Sequence, residues 1–336
     1  MLQNNGTITL PSATGVTMQD SPKTSPKPPK VSIGLPVYNG EKYLETALDS
    51  IFGQSFTDFE VIISDNGSTD RTEEICRKYA ARYPQISYHR QSKNRGVSWN
   101  YNRVFELARG TYFQWVAYDD ALAPDFLQKC VAALDQNPGA VLCQSLINLI
   151  DENGDTIGIY DSGVYGARSS TIFRNVVLTS HWCTELLGVI RSDALRKAAP
   201  YGHHHGSDEI MIAELSMMGS FLRIEEPLFL NREHKGRFSA SVTIAQHAAW
   251  FGADKKEVLF PLWRVYRKYF SAVRKHQKDR AERIRCYFIL FFWWFVNWNS
   301  VRMVVDILSA IDPRIFYVAS RIKHRLFGSA APMLRR

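Results

Sequence analysis

Hydrophobic stretches alternate with amphipathic ones through the first third of the chain. Val31–Val37 is an apolar run that stops at Tyr38, and such a run predicts a strand buried on both faces. A helix is predicted next, because apolar side chains follow at the i, i+3, i+4 and i+7 positions, namely Leu44, Ala47, Leu48 and Ile51. Residues 31–51 are therefore predicted to form a strand–loop–helix unit.

The same unit repeats and predicts a parallel sheet. Apolar runs at residues 59–63, 86–89 and 112–117 predict three further strands. Asp70 and Glu73 have the spacing of a capping box and predict the start of the second helix. Alternating strands and helices are typical of an α/β domain, in which ligands bind outside the carboxyl ends of the parallel strands.

Polar side chains stand at three of these strand ends. They are Tyr38 after the first strand, Asp65 and Asn66 after the second, and Asp119 and Asp120 after the fourth. Hard divalent cations prefer carboxylate oxygens as ligands. The layout therefore predicts a site for a nucleotide and a metal ion at this edge of the sheet.

Four segments, in this order and spacing, resemble the family 2 glycosyltransferases of the GT-A fold. They are VSIGLPVYNGEKYL, SDNGSTD, NRGVSWNYN and YDDALAPDFL, and the resemblance extends over residues 31–239. It implies a Rossmann-like αβα sandwich with a mostly parallel central sheet over residues 31–250. Within it, residues 31–120 would bind the nucleotide and residues 121–250 the acceptor. The family resemblance also implies inverting transfer of a sugar from a nucleotide diphosphate sugar to a hydroxyl group, assisted by Mn²⁺ or Mg²⁺.

The resemblance assigns the divalent cation to the acidic pair and to a later histidine. The family motif has the form Asp-x-Asp-Asp, whereas this chain has Ala117 at its first position. We therefore expect Asp120 to ligate the metal and Asp119 to contact the ribose or to support the metal from outside. His234 resembles the loop histidine that completes metal or diphosphate binding. The alternative is that the adjacent acids merely end a strand and that His234 is solvated.

The same resemblance places the donor nucleotide against eight residues of the first half. These are Pro36, Tyr38, Glu41, Asp65, Asn66, Asn94, Asn102 and Asp119. Two departures from the family pattern concern this site: Asn66 replaces a second acid, and Tyr101 stands where many relatives carry an arginine for the diphosphate. Asn66 equally suits a tight Asn-Gly turn, because both residues tolerate a positive φ.

The second half is expected to supply the general base. Its apolar pattern predicts strands and one helix, at residues 140–149, 185–190, 208–218 and 221–225. By resemblance, Asp208 at the start of the helix is the base, although a carboxylate there is also a good helix cap. The triplet His203, His204 and His205 is interpreted as an acceptor-side loop, since consecutive side chains do not all point at one ion.

Composition bounds the rest of the chain. The 336 residues are 45% hydrophobic, which suffices for one large α/β core with an appendage. Five scattered cysteines without a C-x-x-C pair indicate reduced thiols rather than a disulfide framework or a zinc site. Residues 1–30 are rich in Pro, Ser, Thr and Lys, and we predict a disordered leader there rather than a signal peptide.

Residues 255–336 are predicted to form a helical, basic and aromatic-rich tail that associates with an anionic membrane surface. They contain 18 Lys and Arg against five Asp and Glu, within a chain of net charge +8. The apolar run at residues 286–296 covers about half of a ~30 Å hydrocarbon core at about 1.5 Å per residue. It suits a helix in the membrane interface, with burial against the catalytic domain and a membrane span as alternatives. No nucleic-acid module accompanies the charge.

Together these features predict a glycosyltransferase that acts on a lipid-linked or cell-envelope acceptor, from a peripheral position on the cytoplasmic face of the membrane. One alternative is a catalytically degenerate GT-A scaffold. Ala117 and Tyr101 leave it open, whereas the acids and the histidine of the site argue against it, namely Asp65, Asp120, Asp208 and His234. A second is a sugar-nucleotidyltransferase, which shares the layout. That class is expected to carry a Gly-rich first loop with arginine and lysine, and residues 36–40 do not have this composition.

Overall fold

The computed structural model describes residues 27–202, 204, 206–234 and 261–312. Most of the predicted leader, residues 235–260 and residues 313–336 lie outside this part of the chain. His203 and His205 do as well, so the interpretation of the histidine triplet stays a prediction.

Nine strands of the described residues form one mixed sheet. They are β1 Val31–Val37, β2 Phe59–Asp65, β3 Ile86–Arg90, β4 Tyr112–Trp115, β5 Ala121–Leu122, β6 Ala140–Ile150, β7 Thr156–Tyr160, β8 Val189–Arg191 and β9 Ser220–Arg232. Their order is β3-β2-β1-β4-β8-β6-β9-β5, with β7 paired to β6 beside this path. β3, β2, β1 and β4 run parallel, as the alternation predicted. β8 is antiparallel to both β4 and β6 and so joins this block to the parallel pair β6–β9.

The helices cover both faces of the sheet. They are α1 Leu44–Phe52, α2 Thr72–Arg82, α3 Val97–Glu106, α4 Phe126–Gln136, α5 Ser169–Leu178, α6 Ser192–Lys197, α7 Ser207–Ser216, α8 Pro261–His276, α9 Arg280–Trp293 and α10 Asn299–Ile311. One apolar cluster lies between the sheet and α1, α2 and α4. A second lies between the sheet and α3, α5, α6, α7 and the three C-terminal helices. The predicted αβα sandwich is therefore confirmed.

Most of the predicted elements are present, and one is wrong. The four side chains predicted for the buried face of α1 are the ones that it buries. Residues 185–190 were expected to form a strand, but Thr184–Leu187 is a 3₁₀ helix and only three residues of β8 follow it. Gly188 explains the tight turn, because a Cβ there would lie 2.6 Å from the carbonyl oxygen of Cys143 in β6. The apolar pattern alone did not reveal this close approach.

The C-terminal helices belong to the core of the acceptor half. Tyr269 in α8 and Cys286, Leu290 and Trp293 in α9 are buried in the same cluster as α5 and α7. Glu282 also accepts a hydrogen bond of 2.9 Å from the backbone N–H of Ser170, at the start of α5. The helical nature of the tail is thus confirmed for residues 261–312, and burial against the catalytic domain accounts for one face of α9. None of the described helices combines the length and the apolar composition that a membrane crossing requires.

Candidate active site

The loops that follow β1 and β2 are hydrogen bonded to each other. The backbone N–H of Asn39 donates to Ser68 Oγ over 2.9 Å, and that of Glu41 donates to Asp70 Oδ2 over 3.0 Å. In return, the N–H of Arg71 donates to Glu41 Oε2 over 3.0 Å. Glu41, predicted to bind the donor, therefore anchors one loop to the other.

Pro36 and Tyr38 lie on either side of the end of β1. Pro36 is buried within the strand, opposite Ser64 of β2, whereas the Tyr38 side chain is 41% exposed. Between this loop and the acidic pair, Gly40 packs closely against Tyr118, since a Cβ at Gly40 would lie 2.9 Å from that ring. Of the two predicted donor contacts, only Tyr38 offers an accessible side chain.

Asp65 stabilises the floor of the site from within. Its carboxylate is fully buried and accepts hydrogen bonds from the Ser68 N–H, at 2.8 Å, and the Tyr88 hydroxyl, at 2.9 Å. The guanidinium of Arg90 lies 3.4 Å away and balances the charge. Burial, and then the hydrogen bond to Asp65, raise the pKa of Tyr88. Tyr88 therefore remains a protonated donor to this carboxylate.

Asn66 uses both ends of its amide to hold the loop before α3. Its Nδ2 donates to Asn94 Oδ1 over 2.9 Å and to the carbonyl oxygen of Gly96 over 3.1 Å, and its Oδ1 accepts from the Arg95 N–H over 2.9 Å. A carboxylate would offer no donor for the first two contacts. Gly67, at φ 77°, lets this loop pass close to the backbone of Lys93.

Asn100 is a buried polar residue that the sequence reasoning missed. From α3, its Nδ2 donates to the carbonyl oxygens of Val37 and Ser64, at 3.3 and 2.9 Å, where β1 and β2 end. It thereby connects α3 to the ends of both strands. The available signal was an asparagine on the buried face of an amphipathic helix, in the segment that carries the family resemblance.

Asp120 is held by the end of β9. The short strand β5 pairs with β9 so that Ala121 faces Leu230. Asp120 is consequently 4% exposed, and its Oδ1 accepts from Asn231 Nδ2 and from the Arg232 N–H, each at 3.0 Å. This carboxylate is tied into the sheet.

Asp119 and His234 form the more open pair. His234 Nε2 lies 2.9 Å from Asp119 Oδ2, and the His234 ring packs against Tyr43 at 5.0 Å between centroids. The structure therefore pairs His234 with Asp119, whereas the sequence predicted that it would share an ion with Asp120. Adjacent residues at a strand end point in different directions, and the register of β5 on β9 decides which of them turns inward.

Arg232 is a second functional candidate that the sequence reasoning passed over. It is 4% exposed, and its guanidinium donates to the carbonyl oxygens of Asp119 and Asp151, both at 3.0 Å. The same group lies over the Tyr43 ring at 4.8 Å. The buried cation thus fixes the backbone of the acidic pair and brings positive charge next to it.

The start of α3 is bound to the loop before α7. Asn102 exchanges two hydrogen bonds with the backbone of Tyr201, at 2.9 and 2.8 Å, and Ser98 Oγ donates to the carbonyl oxygen of Gly202 over 2.8 Å. Asn102, predicted to bind the donor, therefore connects the nucleotide half to the acceptor half.

A pair of tyrosines connects the acidic pair with the predicted base. The rings of Tyr101 and Tyr201 are 5.2 Å apart. Burial first, and then the charges of Asp119 and Asp120, raise the pKa of Tyr101. Burial first, and then the charge of Asp208, raise the pKa of Tyr201. Tyr101, which stands where the resemblance places an arginine, therefore stays uncharged.

Asp208 lies in the first turn of α7. Gly206 occupies the N-cap position, at φ 81°, and Asp208 Oδ1 accepts the N–H of Glu209 over 2.9 Å. The Asp208 side chain is half-buried. Its neighbour Glu209 points to the C-terminal helices and accepts a hydrogen bond of 2.8 Å from the Tyr269 hydroxyl. The two adjacent acids therefore have distinct surroundings.

The donor atoms of this site suit a cation that is shared with a diphosphate. Among the described residues, no group of three His, Cys, Asp or Glu side chains is placed to hold a metal by itself. Asp119 Oδ2 and His234 Nε2 are close enough to contact one ion. Mg²⁺ commonly binds through one or two side chains and completes its shell with phosphate oxygens and water. Asp120 fits less well, because its Oδ1 already accepts two hydrogen bonds.

A mixed sheet that contains the parallel block β3-β2-β1-β4 and is covered by helices on both faces has the GT-A fold. Solved structures agree. TarS residues 1–349 of Staphylococcus aureus, in complex with UDP-GlcNAc, superposes with a TM-score of 0.61 over 85% of this chain and 82% of that one. The two sequences are 16% identical, so this likeness concerns the fold.

Sequence comparison supports the same class. Residues 32–192, just under half of the chain, match the model of glycosyl transferase family 2. Chondroitin synthase of Escherichia coli is 34% identical over 129 residues, which are 38% of this chain and 19% of that protein. An uncharacterised protein of Mycobacterium tuberculosis is 42% identical over 122 residues, 35% of each chain. The match thus spans about a fifth to a third of these relatives, and it favours a glycosyltransferase over a sugar-nucleotidyltransferase.

Proposed function

We propose that this enzyme transfers one sugar from a nucleotide diphosphate sugar to a hydroxyl group of a membrane-associated acceptor, with inversion at the anomeric carbon. The proposal is carried by the contact between Tyr101 and Tyr201, because the acidic pair influences one of these tyrosines and Asp208 influences the other. Asp119, which is paired with His234, is near enough to contribute to the raised pKa of Tyr101, and Asp208 is near enough to contribute to that of Tyr201. A leaving diphosphate requires neutralisation at one end, and an attacking hydroxyl requires a base at the other.

The donor is expected to bind over the linked loops at the ends of β1 and β2. The TarS complex with UDP-GlcNAc supports a nucleotide diphosphate sugar as the class of donor. Tyr38, with its exposed ring, is the proposed contact for the nucleotide base. Asp65, Asn66 and Asn94 bind internal partners, and we propose that they shape the pocket by fixing these loops.

Asp119 and His234 are the residues proposed to hold a divalent cation, either Mn²⁺ or Mg²⁺. When bound there, such a cation would neutralise charge that develops on the leaving diphosphate. This assignment replaces the expectation that Asp120 is the ligand. Asp120 instead would hold Asn231 and Arg232 in place, and Arg232 would fix the carbonyl group of Asp119.

Asp208 is the proposed general base of a single displacement. Its carboxylate accepts the proton of the acceptor hydroxyl while the hydroxyl oxygen forms a bond to the anomeric carbon. The bond from that carbon to the diphosphate oxygen breaks in the same step, and its electron pair leaves with the diphosphate. Because attack comes from the side opposite to the leaving group, the anomeric configuration inverts.

The acceptor is proposed to be a lipid-linked or cell-envelope glycan, with the enzyme attached peripherally to the cytoplasmic face of the membrane. The 18 Lys and Arg among residues 255–336, against five Asp and Glu, support an anionic surface as partner. Exposed aromatic side chains on α9 support contact with lipid.

The test is a screen of donor hydrolysis over a panel of nucleotide sugars, with and without Mn²⁺ or Mg²⁺. We expect one donor to be hydrolysed and excess chelator to stop the reaction. Nuclear magnetic resonance of the first product formed on an acceptor should show the configuration opposite to that of the donor. A product with the donor's configuration would refute the single displacement, and full activity in chelator would refute the role of the cation.

A further inference from the structure

Helix α9 has apolar side chains on two opposite faces. Cys286, Leu290 and Trp293 are buried against the catalytic domain. The opposite face carries five apolar side chains that are between 56 and 68% exposed. We term it the aromatic face, and its members are Ile284, Phe288, Phe291, Phe292 and Phe295. Their spacing of i, i+4, i+7, i+8 and i+11 places them on one side of the helix and of the turn after it.

The exposed rings form a cluster. Phe291 lies 5.7 Å from Phe292 and 5.4 Å from Phe295 between ring centroids. Beyond the turn, Val301 and Val304 of α10 are 50 and 54% exposed. Single exposed apolar residues are common on soluble proteins, whereas a contiguous group with this composition marks an interaction surface.

The helical segment that carries the aromatic face has a net positive charge. Residues 261–312 contain ten Lys and Arg against four Asp and Glu. Three of these acids have roles inside the fold: Asp279 accepts the N–H of Glu282, Glu282 accepts the N–H of Ser170, and Asp306 accepts the N–H of Leu262. The basic side chains therefore outnumber the acids, and three of the four acids accept hydrogen bonds from the backbone.

We propose that the aromatic face docks onto an anionic lipid bilayer, with α9 lying in the plane of the interface. A basic helical segment with an exposed apolar stripe is complementary to anionic headgroups above acyl chains, and its charge disfavours pairing with a second copy of the chain. With 14 residues, α9 is about 21 Å long and too short to span the bilayer. The inference rests on the proposed membrane-associated acceptor and specifies the surface that meets the membrane.

Docking through this face would orient the catalytic cleft. The helices behind it pack on α5 and α7, and Tyr269 of α8 binds Glu209, the neighbour of the proposed base. A bilayer bound at this face would therefore be connected to α7 through the packed helices α9 and α8, which only residues 277–279 separate. A rigid connection of this kind sets the distance from the cleft to the lipid surface.

The experiment is co-sedimentation of the full chain with vesicles of phosphatidylcholine containing 30% phosphatidylglycerol, at low and high salt. We compare the wild type with a face variant, Phe288→Ser/Phe291→Ser/Phe295→Ser, and with a matched control, Ile157→Ser/Ile159→Ser. The control residues are 57 and 63% exposed but lie on β7. Thermal unfolding verifies that each variant folds.

We expect the wild type and the control to bind equally, and the face variant to bind at least about tenfold more weakly. High salt should weaken wild-type binding without abolishing it, because buried rings are insensitive to screening. The inference is overturned if the wild type ignores the vesicles at low salt, if the face variant binds as well as the control, or if the face variant only converts a dimer to a monomer. Donor hydrolysis without vesicles is measured in parallel. If the wild type binds vesicles but hydrolyses no donor, the proposed reaction is wrong and the docking is not. If it hydrolyses a donor but does not bind vesicles, the docking is wrong and the reaction is not.

Discussion

The hydrogen bonds between the loops that follow β1, β2 and β3 join residues less than about 30 positions apart, whereas the contact between Asp119 and His234 joins residues that are far apart. Asn66 and Asn94 are 28 residues apart, and Glu41 and Asp70 are 29. By contrast, Asp119 and His234 are separated by 115 residues. The nucleotide loops are thus organised by contacts between neighbouring strand–helix units, and the acidic pair depends on the pairing of β9 with β5.

This difference indicates how each region responds to substitution. A loop contact in the nucleotide half involves neighbours that share other hydrogen bonds, so the loss of one is partly compensated. At the acidic pair and at α7, single contacts join separate parts of the fold. We therefore expect substitutions there to have larger and more specific effects.

The largest effect is expected from substitution of Asp119, with Asp120 as the comparison. We expect Asp119→Asn to lower turnover by roughly 10³-fold, because a divalent cation contributes several kcal/mol of charge stabilisation and about 1.4 kcal/mol corresponds to tenfold. Its thermal unfolding should stay close to that of the wild type. Steady-state kinetics across a Mn²⁺ or Mg²⁺ titration is the measurement.

Asp120→Asn is the matched control. It weakens two hydrogen bonds to a buried carboxylate, so the free energy of unfolding should fall by about 1–3 kcal/mol. The metal concentration at half-maximal activity should change less than in the Asp119 variant. The reverse pattern would restore Asp120 as the ligand.

Substitutions on the buried and the exposed face of α9 should differ in their effect on the free energy of unfolding. Trp293→Ala should lower the free energy of unfolding by about 3–5 kcal/mol, because Trp293 is 3% exposed and packs against Tyr266 at 5.2 Å. Phe295→Ala, at a side chain that is 68% exposed, should change it by less than about 0.5 kcal/mol. Denaturant unfolding measures both. Equal, small effects would mean that the C-terminal helices do not share the core of the acceptor half.

Asp208 and Glu209 are adjacent in α7, but we expect only Asp208 to take part in catalysis. Asp208→Asn preserves shape but removes basicity, and we expect kcat to fall by roughly 10² or more with little change in donor affinity. Glu209→Gln retains an acceptor for the Tyr269 hydroxyl, so kcat should fall by less than about tenfold. Similar losses in both variants would argue that the helix start, rather than Asp208 itself, is what matters.

The smallest expected effect lies in the nucleotide half and depends on pH. Burial acts to raise the pKa of Asp70, but hydrogen bonds from Thr72 and from the Glu41 N–H outweigh it, and the pKa is lowered overall. The folded state therefore gains stability from ionised Asp70 above the ordinary carboxyl pKa and loses it as the pH falls through the lowered value. The stability difference between the wild type and Asp70→Asn should be present at pH 7 and disappear in the acid range. A difference independent of pH would contradict this.

Local patterns predicted the framework well, because they depend on neighbouring residues. The apolar run of β1 and the periodicity of α1 follow directly from burial on one or two faces. The capping box at Asp70 and Glu73 did not form. Asp70 accepts the N–H of Thr72, and Glu73 instead pairs with Arg77 and Arg90. The strand expected around Glu185 failed for a related reason, since a close approach to β6 favours a tight turn that the apolar pattern does not encode.

The sequence by itself determined the α/β repeat, the position of the nucleotide edge and the set of residues that surround it, because spacing and side-chain type act over short distances. Tertiary structure decided which of two adjacent acids meets His234, since the register of β5 on β9 turns one inward and leaves the other open. It also decided which aromatic residues of α9 are core and which are surface. A helix that is apolar all round can bury any of its faces. Only the positions of the neighbouring helices decide which face is buried and which is exposed.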